Sequence, residues 1–358
     1  MINIKSKSSI LSNFLILIFL VHFRYGVVFI SSINGHFELG LSLINRSWNE
    51  LRNYYWSDSP LFNIFQTIFK INEFENFVVL IYLSTLLFLF LIAIKIAEIG
   101  KLSLAFILSG WLISVSWFFG LVDALLVYLI VSIFVDIIKN NKFSLKIGVL
   151  NSFLVFNHFA IGIFINFILF SVWKEKKIHK VLAIFTSFSV GIGLNLLYKL
   201  IIEFNGETRL HYLLGPKVIP NLYEAFPEML RFVLFSGFYG SLPLVLYFLN
   251  KNFYINAKKI TLPLTIAILG ASLAKDASRI FSYLIIPVIL IILFELNSYF
   301  NTTNDKLVGS LLLCSILIVI VIDEYWVLGP NIIFDGKSTG GFSKLIYEIL
   351  LNKINYFK

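Results

Sequence analysis

Residues 260–300 read ITLPLTIAILGASLAKDASRIFSYLIIPVILIILFELNSYF, and Lys275, Asp276 and Arg279 lie in the middle of that apolar run. The chain on either side suits hydrocarbon, whose core of ~30 Å takes ~20 helical residues to cross. One charge at the bilayer centre costs ~2.5–3.5 kcal/mol on insertion scales. Charges packed this closely therefore mark a turn at an aqueous surface, or a site that uses them. The spacing predicts one helix over 260–274, a charged turn, and a return helix over 280–299. A helix over 260–274 reaches only about 22 Å, which leaves the turn recessed in protein rather than standing in open water.

The rest of the chain repeats the pattern. Hydrophobic residues make up 58% of 358 positions, charged residues 14%, and Phe alone supplies 38. No soluble domain of this size needs so much apolar surface. The expected fold is an all-α polytopic integral membrane protein, with about 10–12 membrane segments, some of them short re-entrant or hairpin helices. A membrane β-barrel would instead show alternating segments of ~10 residues. With no internal repeat and no low-complexity tract, residues 1–358 form a single transmembrane domain. The stretch from Leu11 to Ile33 follows Lys5 and Lys7, has no small-residue cleavage site, and reads as a retained first span.

The net charge of +9 does not indicate nucleic acid, because the basic residues fall in short clusters between apolar runs. These clusters are Lys95 and Lys101; Lys139, Lys142 and Lys146; Lys174, Lys176, Lys177 and Lys180; Lys251, Lys258 and Lys259; and Lys306. Such clusters set orientation, and the positive-inside rule puts them and the N-terminus in the cytoplasm. The intervening segments, about 34–75 and 203–228, are richer in acids and read as outer segments. Lysines at 146 and 174 are both inside, so the apolar stretch between them should turn back near Asn157-His158 instead of crossing once. Backbone of that kind persists at membrane depth only inside protein or beside a water-filled cavity. The tail, about 342–358, has the pattern of an amphipathic surface helix. A lone cysteine, Cys314, excludes internal disulfides and Cys-based metal clusters.

With this topology the unusual polar residues gather on the outer face, around an outward-facing cavity. They are Glu38 and Asp58 in the first outer segment, Asp123, His158 at the hairpin turn, Arg209 and His211 in the second outer segment, then Lys275, Asp276 and Arg279. Ionisable groups at membrane depth usually mark a substrate path, and this mixture suits an anionic substrate with a polar body. Each also has a structural reading. Asp276 and Arg279, at i and i+3, can pair locally. Asp123 can cap the next helix, and His158 can be a hydrogen-bonded packing residue.

Several stretches carry a family resemblance: SDSPLFNIFQTIF at 57–69, the run from FFGLVDALLVYL at 118–129 through NHF at 157–159, and SRIFSYLIIPVILIIL at 278–293. In order and spacing they resemble the Wzy/EpsG-like polymerases of O-antigen, capsule and exopolysaccharide assembly. Those proteins have a His-bearing apolar hairpin after a basic loop and an Arg-x-x-x-Tyr segment followed by Pro, matched here by His158, Arg279, Tyr283 and Pro287. The second resemblance is to the GT-C membrane glycosyltransferases, through INGHFELG at 33–40 with Glu38 and, later, Asp58.

The first resemblance implies polymerisation of polyprenyl-diphosphate-linked repeat units at the outer leaflet of a bacterial inner membrane, without a metal or other cofactor. Asp276, Asp123 and His158 would be catalytic; Arg279, Lys275, Arg209, His211, Glu38, Asp58 and Tyr283 would bind substrate. The second implies a single-sugar transferase using a polyprenyl-phosphate donor and a divalent cation. A lipid-linked sugar flippase is the non-enzymatic alternative. The partners implied are the lipid-linked glycan, the bilayer and other polysaccharide-assembly membrane proteins, with no nucleic acid.

Overall fold

The structure is a computed structural model; it describes residues 4–27, 32–47, 59–119, 122–174, 177–206, 229–251, 253–274, 277–300, 305–321, 325–328 and 332–335. Apart from a short antiparallel ribbon, β1 (Tyr325–Leu328) with β2 (Ile332–Asp335), every described element is helical. In chain order the helices are α1 (Ile4–Phe19), α2 (Ser32–Ile44), α3 (Leu61–Phe69), α4 (Phe74–Ile96), α5 (Ser103–Ile107), α6 (Trp111–Trp117) and α7 (Asp123–Asn140). They continue as α8 (Leu145–Asn157), α9 (Phe159–Val172), α10 (Lys177–Ile201), α11 (Leu242–Lys251), α12 (Phe253–Ser272), α13 (Ala277–Leu284), α14 (Ile286–Phe300) and α15 (Asp305–Val321).

Four helical stretches among the described residues are long and apolar enough to cross a membrane: Lys7–Tyr25, Phe74–Ile107, Ile178–Ile201 and Ala277–Phe300. Their surfaces agree with that. Leu11, Leu15, Phe19 and Phe23 form an exposed stripe along the first helix, as Val79, Leu83 and Leu87 do along α4. Large apolar side chains left outside at every fourth position are costly in water and at home in lipid. The fold is thus that of a helical membrane protein.

The chain runs back and forth between two ends of the bundle. One end is basic. There Lys95 binds Glu98 (3.1 Å) and Asp136 (2.9 Å), Lys139 binds Glu98 (2.7 Å), and Lys146 binds Asp136 (2.8 Å). This network ties the end of α4 to the end of α7 and the start of α8. Between α4 and α5 the chain reverses through a 3-10 turn, Ala97–Leu102, where Gly100 takes φ +70°. A side chain at that position would be strained and would also press on Asn297 Oδ1. Lys259 on α12 meets Glu295 on α14 at 2.9 Å near the same end.

The stretch 145–172 is a helical hairpin. α8 ends at Asn157, α9 begins at Phe159, and His158 between them has an extended backbone (φ −155°, ψ 84°). Val155 lies against Gly162, and Asn151 Nδ2 donates to Asn166 Oδ1 at 2.8 Å. Both pairs are centred on the 158–159 bond, as two antiparallel arms require. Trp173 Nε1 returns to donate to the Asn141 carbonyl at 3.2 Å. α8 and α9 span about 20 Å each, less than the hydrocarbon core.

One expectation needs correcting. α12 begins at Phe253, not at 260, and spans 20 residues, about 30 Å by helical rise. The lysines at 258 and 259 did not end it, because long lysine stems lie along a helix and carry their charge to the interface. Where described, the segment 34–75 is mostly helix, α2 and α3. The expected amphipathic tail at 342–358 lies outside the described residues.

One feature of the interior had no sequence forecast. The pass 102–119 is interrupted between α5 and α6, and a π-helical turn, Phe232–Phe238, gives way to a 3-10 turn, Tyr239–Ser241. The two interruptions cross. Gly110 N donates to Gly237 O (3.0 Å), and Gly240 N donates to Leu108 O (3.1 Å). Backbone freed from its helices is thereby paired inside protein, as a membrane interior demands.

Candidate functional site

The end of the bundle opposite the basic network carries the candidate site. α6 rises to Phe118, the chain turns, and α7 starts at Asp123. α13 starts at Ala277 and heads back past α6 and α7. Its first turns carry Arg279 and then, one turn further, Tyr283.

Arg279 and Asp123, 156 residues apart in sequence, form a forked ion pair. Arg279 Nε and Nη2 donate to Asp123 Oδ1 at 3.1 and 2.8 Å, and Nη2 also reaches Oδ2 at 3.1 Å. The Asp123 side chain is 1% exposed and that of Arg279 13%. A buried carboxylate without such a partner would be strongly unfavourable, so each residue makes the other tolerable. The guanidinium lies 4.6 Å from the Phe118 ring centroid, which adds a cation–π contact.

The fully buried Tyr283 completes the group. Its hydroxyl shares a hydrogen bond with Ser114 Oγ on α6. Asp123 fixes the guanidinium in place, both of its carboxylate oxygens accepting from Arg279.

His158, at the hairpin turn, lies at this end as well. α9, α12 and α13 meet where Gly270 faces Phe164 and Leu284, and all three have their 158, 274 and 277 ends beyond that point. His158 Nδ1 accepts the amide of Ile161 at 3.3 Å and so caps α9. An accepting Nδ1 leaves the proton of a neutral imidazole on Nε2. In that tautomer the second ring nitrogen of His158 is a donor. A second polar group stands beside the hairpin turn: His36 Nδ1 and Asn63 Oδ1 are 3.4 Å apart, Asn63 Nδ2 donates to Tyr198 OH at 3.3 Å, and Asn195 Nδ2 donates to the Phe156 carbonyl at 2.9 Å.

Of the residues chosen from sequence, the structure joins Asp123, Arg279 and Tyr283, and puts His158 at the same end. Glu38 is exposed on α2, and neither an ion pair nor a hydrogen bond of its side chain occurs among the described residues. Asp58, Arg209, His211, Lys275 and Asp276 lie outside the described residues. Arg279 makes a long-range pair with Asp123; the expected local pairing with Asp276 falls outside the described residues. Asp123 is the first residue of α7, and the cap position is Val122.

The sequence did not single out Ser114 or Phe118, whose spacing of four places them on one face of α6. Nor did it single out Asn63, Asn151 or Asn166, although a carboxamide inside an apolar run is a usable sign of interhelical bonding. No group of three His, Cys, Asp or Glu side chains among the described residues is arranged to hold a metal ion.

No known family model, curated protein or solved structure matches the chain. The functional reading rests on the site itself.

Proposed function

We propose that this protein is a glycosyltransferase-type polymerase. It would join polyprenyl-diphosphate-linked repeat units at the outer leaflet of a bacterial cytoplasmic membrane, with the basic end of the bundle facing the cytoplasm. The observation that carries the reading is the Asp123–Arg279 pair, a guanidinium held in one orientation at the end of a lipid-exposed bundle and still 13% exposed. A fixed planar fork suits phosphate oxygens, and a substrate with a polyprenyl tail needs a site reachable from hydrocarbon.

In the reaction, an acceptor hydroxyl forms a bond to the anomeric carbon of the donor sugar, and the bond from that carbon to the lipid diphosphate breaks. The leaving diphosphate gains negative charge, which Arg279 stabilises. The acceptor gives up its proton to a base. Asp123 is held by Arg279, and we assign that role to Asp276. His158 donates to a sugar or phosphate oxygen.

A second reading has one specific observation in its favour. Crossed, interrupted helices such as those meeting at Gly110 and Gly237 occur in carriers, which would make the protein a flippase for the same lipid-linked glycan. Against that use, the freed amides and carbonyls at the crossing already bond one another.

The deciding experiment is a gel profile of surface polysaccharide from a deletion strain, complemented with wild type, Arg279→Lys or Arg279→Ala. The polymerase reading requires a ladder that collapses to single repeat units and is restored by wild type alone. A ladder that persists with one sugar missing would indicate a single-sugar transferase. Lipid-linked units accumulating on the cytoplasmic side would indicate the flippase.

A further inference from the structure

The basic end holds a second feature with no part in the chemistry above. A groove of about 940 Å3 runs between α8 and α10, with Lys142 and His179 at its head and Val149, Phe153, Leu182 and Leu194 along its walls. From His179 to Leu194 it extends about 22 Å along α10, deeper than the ~15 Å half-thickness of a bilayer core. Leu145, Val149, Leu182 and Val190 along it are exposed, so the groove opens sideways to lipid.

Among the described residues, the charges at its head lack the carboxylate partners that their neighbours have. Lys139 and Lys146 are neutralised by Glu98 and Asp136. Among the described residues, neither Lys142, Lys174 nor His179 has a carboxylate partner. Lys174 is held near Lys142 by its backbone amide, which donates to Asn141 Oδ1 at 3.1 Å. Trp173, next to it, lines the groove and packs its ring 5.3 Å from that of Phe143. The result is an apolar slot, one leaflet deep, that ends in basic side chains without a carboxylate partner among the described residues.

We infer that this groove binds one anionic phospholipid of the adjacent leaflet, an acyl chain lying between α8 and α10 and the headgroup phosphate against Lys142, Lys174 and His179. A zwitterionic lipid fits the slot but brings its own cation to the basic head, and membrane-proximal lysines select for net negative lipid. The lipid would brace the open side of the hairpin, where α8 meets α10 through Asn151 and Ser187 (2.7 Å).

The test is native mass spectrometry of the full-length protein, delipidated in detergent and offered equal amounts of phosphatidylglycerol and phosphatidylethanolamine with identical chains. The wild type should retain phosphatidylglycerol selectively. Lys142→Ala should weaken retention about fivefold, the worth of one near-surface lysine. Val149→Trp, at an exposed position, should fill the slot and displace the lipid without lowering the melting temperature. Equal retention of the two lipids, or unchanged phosphatidylglycerol binding in both variants, would overturn the inference. So would glycerol phosphate competing as well as the whole lipid. None of these outcomes depends on the polysaccharide ladder.

Discussion

The Asn151 side-chain amide donates to Asn166 Oδ1 at 2.8 Å, and the two residues stand equally far from the turn that joins α8 to α9. This clasp gives the hairpin its register and returns the chain to the end it left. In a Cys314→Ser background, Lys142→Cys and Lys174→Cys should therefore react with a membrane-impermeant maleimide from the same side, and Asn205→Cys, beyond the far end of α10, from the other. Labelling of 142 and 174 from opposite sides would mean that 145–172 crosses once, and the hairpin would be wrong.

The clasp should also carry measurable energy. Interhelical hydrogen bonds in membrane proteins average about 0.6 kcal/mol and reach about 1.7. Asn151 donates as well to Ser187 Oγ at 2.7 Å, which ties the hairpin to α10. Asn151→Leu should thus loosen both the hairpin and its contact with α10, whereas Asn166→Leu, which also loses the bond from its Nδ2 to the Gly162 carbonyl, should spare the contact with α10. Thermal melts in detergent, run as a double-mutant cycle, would show coupling between 151 and 166. Strict additivity would deny the bond.

The crossing of the interrupted helices makes a sharper forecast. A Cβ on Gly110 would lie 2.0 Å from the Ser236 carbonyl oxygen, a backbone atom with no rotamer to give way. Gly110→Ala should therefore cost at least the ~1–3 kcal/mol usual for overpacking, seen as lost monodisperse protein or a lower melting temperature. Gly193 on α10 has nothing within 4 Å of the corresponding point. Gly193→Ala should be neutral or stabilising by up to ~1 kcal/mol. Equal behaviour of the two variants would remove the crossing as a structural constraint.

The lysine clusters made much of this architecture readable in advance, because charge separated by apolar runs of known length fixes where a chain can turn. The hairpin at 145–172 followed from that alone. The start of α12 did not, since a lysine at a membrane boundary does not break a helix. The crossing at Gly110 and Gly237 was also hidden: a glycine in an apolar run reads the same whether it faces lipid or another backbone. For the site, Asp123 and Arg279 stood out as polar groups in apolar surroundings, and Tyr283 only through the family resemblance. Their partnership did not, because two charges 156 positions apart can pair only once the helices have packed.

The basic network allows a graded comparison. Lys95 is 16% exposed and holds both Glu98 and Asp136, whereas Lys139 is 46% exposed and holds Glu98 alone. Lys95→Met leaves two partly buried carboxylates facing each other and should cost about 1.5–3 kcal/mol, the range for charged hydrogen bonds. Lys139→Met removes a solvated pair worth about 0–1 kcal/mol, and raising salt should erase that difference first. Melting curves of both variants at low and high ionic strength would test the order. A larger loss at Lys139 would place the weight of the network elsewhere.

The Asp123–Arg279 pair should respond to substitution as one unit. Removing either partner strands a buried charge, a change that typically costs about 3–5 kcal/mol, whereas removing both leaves no charge to desolvate. Arg279→Ala and Asp123→Ala should each lower stability more than the double variant does, with a coupling term well above the additivity error of about 0.3–0.5 kcal/mol. Arg279→Lys keeps the charge but loses the fork and the flat face over Phe118, and should fall between wild type and alanine. Chemical or thermal denaturation of the four proteins in one detergent measures this directly. If the double variant is as unstable as the two single losses added together, the residues act separately, and Arg279 is not the oriented phosphate ligand that the polymerase reading requires.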